Sequence, residues 1–186
     1  MNNRTLGTIA MICAPAMLIE GILLRGEEDA LVTGITSMVF MAGWICTNIG
    51  MWRMRVTGTG RWSRAVLLVQ LVGLVLAFLF GFIEATGLLD ENNIVFIVTD
   101  IAWPLSMLWM LVVGITVIVT KQLPGWKRFV PVLCPLWLPI AIVGSTAPID
   151  FGFVGLGLTA VLWALLGYIV REGGQQPVPA PEPAVR

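Results

Sequence analysis

The chain has no histidine, a single tyrosine, and charges on only 12% of its 186 residues. Without histidine there is no imidazole to hold haem or zinc, no Ser-His triad and no imidazole proton shuttle. No lysine lies within an apolar stretch to form a retinal Schiff base. Cys-x-x-Cys, the Gly-Lys-Ser/Thr phosphate loop and the Gly-x-Ser-x-Gly elbow are all missing. Catalysis would have to rest on carboxylates alone, so an enzyme is not expected, nor is a cofactor, a metal site or a nucleic-acid partner. The three cysteines, Cys13, Cys46 and Cys134, each fall inside an apolar stretch without paired spacing. They read as small buried apolar groups rather than as a disulfide or metal framework.

Hydrophobic residues make up 58% of the chain, against roughly 45–50% in soluble domains, where charged residues approach about 25%. Too few polar side chains remain to cover a water-soluble globule. A bilayer core about 30 Å thick takes ~20 apolar helical residues, and six stretches meet or approach that length. They run about Leu6–Leu24, Ala30–Trp52, Ala65–Thr86, Ile94–Thr120, Phe129–Ala147 and Gly152–Val170. Arg4 before an apolar run and Ala14-Pro15-Ala16 loosely mimic a signal peptide, but the run continues to Leu24 and is read as a retained first helix. The expected architecture is an all-α, polytopic integral membrane bundle of six transmembrane helices over residues 1–171. Residues 172–186, rich in Pro, Gly and Gln, cannot bury a core and are expected to form a disordered cytoplasmic tail. No internal repeat is visible, which weakens an inverted-repeat transporter.

The formal net charge is zero, yet the charges are segregated. The loop with Arg53, Arg55, Arg61 and Arg64, the loop with Lys121, Lys127 and Arg128, and the two chain ends hold ten of the eleven basic residues. Glu27, Glu28, Asp29, Asp90, Glu91 and Asp150 fall in the alternate loops with Arg25. Because short cytoplasmic loops carry the excess of Lys and Arg, both termini are expected in the cytoplasm, and the localisation is expected to be the plasma membrane.

Small residues mark helix interfaces in lipid, where close packing replaces hydrophobic burial. Gly7, Ala10, Ala14 and Gly21 form such a stripe on the first span, and Gly157, Ala160, Ala164 and Gly167 on the sixth. On the third span Gln70, Gly73, Ala77, Gly81 and Glu84 share one face, either a packing seam or the lining of a narrow cavity. Thr33, Ser37, Trp44 and Asn48 on the second span, and Asp100, Trp103, Met107, Met110 and Gly114 on the fourth, point to a common interior. Pro131, Pro135 and Pro139 interrupt the fifth span, either as a kink absorbed by packing or as an irregular segment beside a wet cavity.

Three carboxylates lie in the spans: Glu20, Glu84 and Asp100. Asp100 is deepest, six residues or ~9 Å in from the start of its span, and no Lys, Arg or His lies within a span to neutralise any of them. Acids at membrane depth are costly and default to functional candidates. Glu20 and Glu84 can alternatively reach headgroup water. One reading is an outward-facing intramembrane acidic site, built from Asp100, Glu84, Glu20 and Trp103 with Gln70 and Asn48 further inward. It would bind or transport a cation, a proton or a basic small molecule. The other is a non-catalytic membrane subunit, sensor or assembly factor whose small-residue faces serve a membrane partner or a second copy.

The orientation is open to a direct test. In a background with the three cysteines replaced, Asn92→Cys is expected to react with a membrane-impermeant maleimide on intact cells, and Thr59→Cys only after lysis. The opposite labelling pattern would invert the topology.

Overall fold

The computed structural model describes residues 1–25, 27, 29–138 and 151–173, and every described element is helical. In chain order these are α1 (Asn3–Cys13), α2 (Ala16–Leu24), α3 (Ala30–Met54), α4 (Arg61–Thr86), α5 (Ile94–Thr120), a 3-10 turn (Gly125–Phe129), α6 (Val130–Leu133), a second 3-10 turn (Cys134–Leu136) and α7 (Phe151–Gly173). Five helices are long and apolar enough to cross a membrane: Asn3–Leu24, counting α1 and α2 together, then α3, α4, α5 and Phe153–Gly173.

Local chemistry sets their ends. Asn2, Asp29 and Asn93 accept backbone N–H bonds at the starts of α1, α3 and α5, at 2.8 Å from Thr5, 3.0 Å from Leu31 and 2.9 Å from Val95. Such caps satisfy donors that the helix itself leaves open. The last turns of α2, α3, α4 and α5 close on left-handed residues, Arg25, Arg55, Gly87 and Lys121.

Three prolines reshape two of the expected spans. The first span is two helices rather than one, because Pro15 has no N–H to give and the helix breaks between Cys13 and Ala16. In the fifth span Pro131 and Pro135 each sit in the first turn of a short segment, so the chain passes from 3-10 to α and back to 3-10 within twelve residues, Gly125–Leu136. Pro139 lies outside the described residues, as does the rest of that span. Glu172, assigned from composition to the tail, lies in the last turn of α7, where it pairs with Lys127 and accepts from Tyr168. The remaining tail, 174–186, is outside the described residues.

The basic loops gather at one end. Arg53 donates to the Met1 carbonyl, the Thr120 hydroxyl donates to the Val56 carbonyl at 2.8 Å, and Lys127 pairs with Glu172. Met1, the α3–α4 loop and the ends of α5 and α7 are therefore neighbours. Arg25, Glu27 and Asp29, and the loop Gly87–Asn93, lie at the opposite, acidic end.

Backbone-to-backbone seams hold the bundle together. A Cβ on Gly7 would collide with the Gly167 carbonyl and the Arg171 amide, and one on Gly167 would lie 3.0 Å from the Gly7 carbonyl. The small-residue stripes of the first and last described spans thus meet there, whereas Gly157 has nothing within 4 Å and lies off the seam. On α5, a Cβ on Gly114 would lie 2.5 Å from the Val132 backbone, which is how the proline-rich segment docks. Phe40, Trp44 and Trp163 fill the interior between α3 and α7, with Trp44 and Trp163 edge-to-face at 5.0 Å. Gly7→Val should therefore lower stability in detergent by about 1–3 kcal/mol, the usual cost of overpacking. Gly157→Ala should leave the melting temperature unchanged. Equal melting for both variants would dissolve the seam.

Candidate functional site

At the acidic end α2, α3, α4 and α5 enclose a cavity of about 160 Å³. Its polar wall comes from Glu20 on α2, Thr33 and Ser37 on α3, Glu84 on α4 and Asp100 on α5. Its apolar wall is Met17, Met41, Ala77, Phe80 and Trp103. Apart from Met17, at the start of α2, these residues come from the halves of their helices nearest the two acidic loops.

Four of the six residues singled out in the sequence meet here: Glu20, Glu84, Asp100 and Trp103. The other two do not. Gln70 is buried one turn below Gly73 and donates to the Ser106 carbonyl on α5 at 3.2 Å, so it stitches α4 to α5. Asn48 is wholly buried near the basic end of α3, and neither of its side-chain polar atoms finds a partner among the described residues. A face about 80° wide spans more than one neighbour, and so the single polar stripe on α4 is divided. Gln70 and Gly73 address α5, Gly81 addresses α3, and Ala77 and Glu84 line the cavity.

The three carboxylates differ in setting. Glu20 is half-buried and accepts the Thr36 hydroxyl at 2.6 Å, across the hairpin of α2 and α3. Glu84 is half-buried, and its Oε2 is fully enclosed without a partner among the described residues. Asp100 is exposed at the rim, although the sequence places it deepest. The reason is angular rather than axial: Thr99, its neighbour, is the residue of that turn directed into the bundle. Pro104 adds a further oxygen, because without its N–H the Asp100 carbonyl loses its helical donor.

Among the described residues none of the three acids forms an ion pair, and no basic side chain lines the cavity. No three acidic or thiol groups among those residues lie close enough to hold one metal ion together. The carboxylates therefore surround a space rather than converge on a point. Aromatic walls complete it, with Phe80 set edge-on to Phe96 at 5.2 Å and Trp103 against Trp137 at 5.9 Å.

Met17, Met41, Phe80 and the Thr36 partner of Glu20 were not legible as site residues. Thr36 had one available signal: α2 and α3 form a tight hairpin, so residues at matched distance from the turn face each other. The fold defines an all-helical protein with membrane-length apolar helices and an acidic cavity at one end. Compared with protein-family models, curated proteins and solved structures, the chain matches none.

Thr36→Val removes the one hydroxyl bonded to Glu20 and is expected to cost about 1 kcal/mol in thermal unfolding. Thr116→Val, whose hydroxyl bonds only the Val112 carbonyl of its own helix, should change nothing measurable. Indistinguishable variants would mean that the Glu20–Thr36 bond contributes nothing.

Proposed function

We propose that this chain is a multi-pass membrane protein that binds a small organic cation, an ammonium compound, in the cavity at its acidic end. On this reading it resides in the plasma membrane with that cavity facing outward and the basic end in the cytoplasm. The observation that carries the proposal is the meeting of Glu20, Glu84 and Asp100, from three helices, around one space with aromatic walls. Carboxylates give a cation its charge partner, and aromatic faces attract ammonium groups by about 0.5–2 kcal/mol each. Divided carboxylates and apolar walls suit an extended organic cation better than a bare metal ion, which needs oxygens converging at 2–2.6 Å. The volume is close to that of a cavity of about 150 Å³ that accepts benzene, which sets the scale of the ligand.

A second reading is favoured by a separate feature. Between α4 and α5 runs an apolar groove of about 650 Å³, walled by Val72, Leu76, Val98, Ile101, Leu105 and Trp109. A non-catalytic membrane subunit would seat a partner helix or a second copy in that groove. Leu105→Trp, which fills it, would then change the size of the complex in detergent.

The test of the first reading is a thermal-shift series with alkylammonium ions of increasing size, alongside sodium and potassium. A ligand at a hundred times its dissociation constant adds about 2.7 kcal/mol to the folded state. Wild type should shift with an ammonium ion and not with the alkali ions, while Glu84→Gln and Asp100→Asn should fold and lose the shift. A shift that survives both substitutions would place the ligand elsewhere. No shift in any variant would favour the subunit.

A further inference from the structure

The opposite end carries a second, larger cavity of about 360 Å³, formed by the end of α3, the α3–α4 loop and the first turns of α4. Three arginines line it, Arg53, Arg55 and Arg64, with the hydroxyls of Thr59 and Ser63 and no acidic residue. Arg53 already donates to the Met1 carbonyl. Arg55 and Arg64 have no ion pair among the described residues.

The backbone adds to the same field. Helix α4 begins at Arg61 behind Gly60 with no side-chain cap, so its leading N–H groups stay open at the positive end of a 26-residue helix dipole. Gly58 has φ +97°, and a Cβ there would lie 3.1 Å from the Ser63 hydroxyl, so glycine keeps the floor of the cavity open. The Thr57 hydroxyl is tied to the Ser63 carbonyl at 3.1 Å, which fixes the loop against the helix. Trp52 lines the cavity and Trp62 stands exposed beside it. Paired tryptophans at this level are the mark of the headgroup region.

We propose that this cavity binds a phosphate-bearing anion, with the guanidinium groups of Arg55 and Arg64 as its principal partners. Guanidinium forks match phosphate oxygens two at a time, and open N–H groups at a helix start are a ready anion site. A lipid headgroup and a soluble phosphate present the same chemistry. The cavity is distinct from the acidic one, and the proposal does not depend on the ligand assigned there. Only its lipid arm depends on the chain spanning a membrane.

The experiment uses the full chain in two arms. In the first, protein is reconstituted in phosphatidylcholine alone or mixed with phosphatidic acid, and the lipid retained per chain is counted by native mass spectrometry. In the second, delipidated protein in detergent is melted with and without inorganic phosphate. The variants are Arg55→Gln and Arg64→Gln, with Arg61→Gln as the control, an exposed arginine nearby that does not line the cavity. Loss of one charge-assisted contact should weaken retention about tenfold in the first two and leave Arg61→Gln like wild type. Phosphatidic acid retained and not displaced by phosphate identifies a lipid headgroup. A melting shift with phosphate, lost in the same two variants and without lipid retention, identifies a soluble ligand. Equal weakening in all three variants would reduce the effect to general attraction by the basic end and overturn the proposal. Absence of both retention and shift would overturn it as well.

Discussion

At the crossing of α3 and α4 the backbones of Gly34 and Gly81 meet with no side chain between them. A Cβ on Gly34 would lie 2.5 Å from both the Gly81 carbonyl and the Ala85 amide, and one on Gly81 would lie 2.9 Å from the Gly34 carbonyl. In lipid there is no hydrophobic force between helices, and association depends on such close approach. The crossing also fixes the candidate site. Thr33 and Ser37 flank Gly34, while Ala77 and Glu84 flank Gly81, so the glycine contact holds four cavity residues in register. Glu20 from α2 and Asp100 from α5 complete the wall.

The cavity is confined to its own end of the bundle. Met41 lines it, and the next turn of α3 carries Trp44, wholly buried against Phe40 and Trp163. This aromatic block stands between the acidic cavity and Asn48, the polar group nearer the basic end. On the proposed reading a ligand is captured from one side, and passage through the bundle would require these rings to move. Two cavities of opposite charge thus occupy opposite ends, each matching the sign of the loops around it.

Much of this arrangement is legible in the residues themselves. Loop charge alone sorts the two ends, and the helical spacing of Gly7 with Ala10, and of Ala160 with Gly167, marks the seam that α1 and α7 share. The acids are conspicuous because nothing basic accompanies them in the spans. Their relative depth and exposure are not legible, since rise along a helix says nothing about rotation towards a neighbour. For that reason Asp100 emerges at the rim, and Glu84 supplies the enclosed oxygen. Gln70 and Asn48 show the same limit: a polar residue on an inward stripe can serve whichever helix it faces. Pro15 is readable as a helix breaker, but its position within an otherwise unbroken apolar run hides it.

The central claim is that Glu20 and Asp100, eighty residues apart on α2 and α5, face one shared ligand. A double-mutant cycle read by calorimetry with the tightest-binding ammonium ion tests this most directly, using Glu20→Gln, Asp100→Asn and the pair. One ligand per chain and a coupling energy of about 0.5–3 kcal/mol between the two substitutions is the predicted result. Losses that simply add, or binding that neither substitution weakens, would contradict a single shared site.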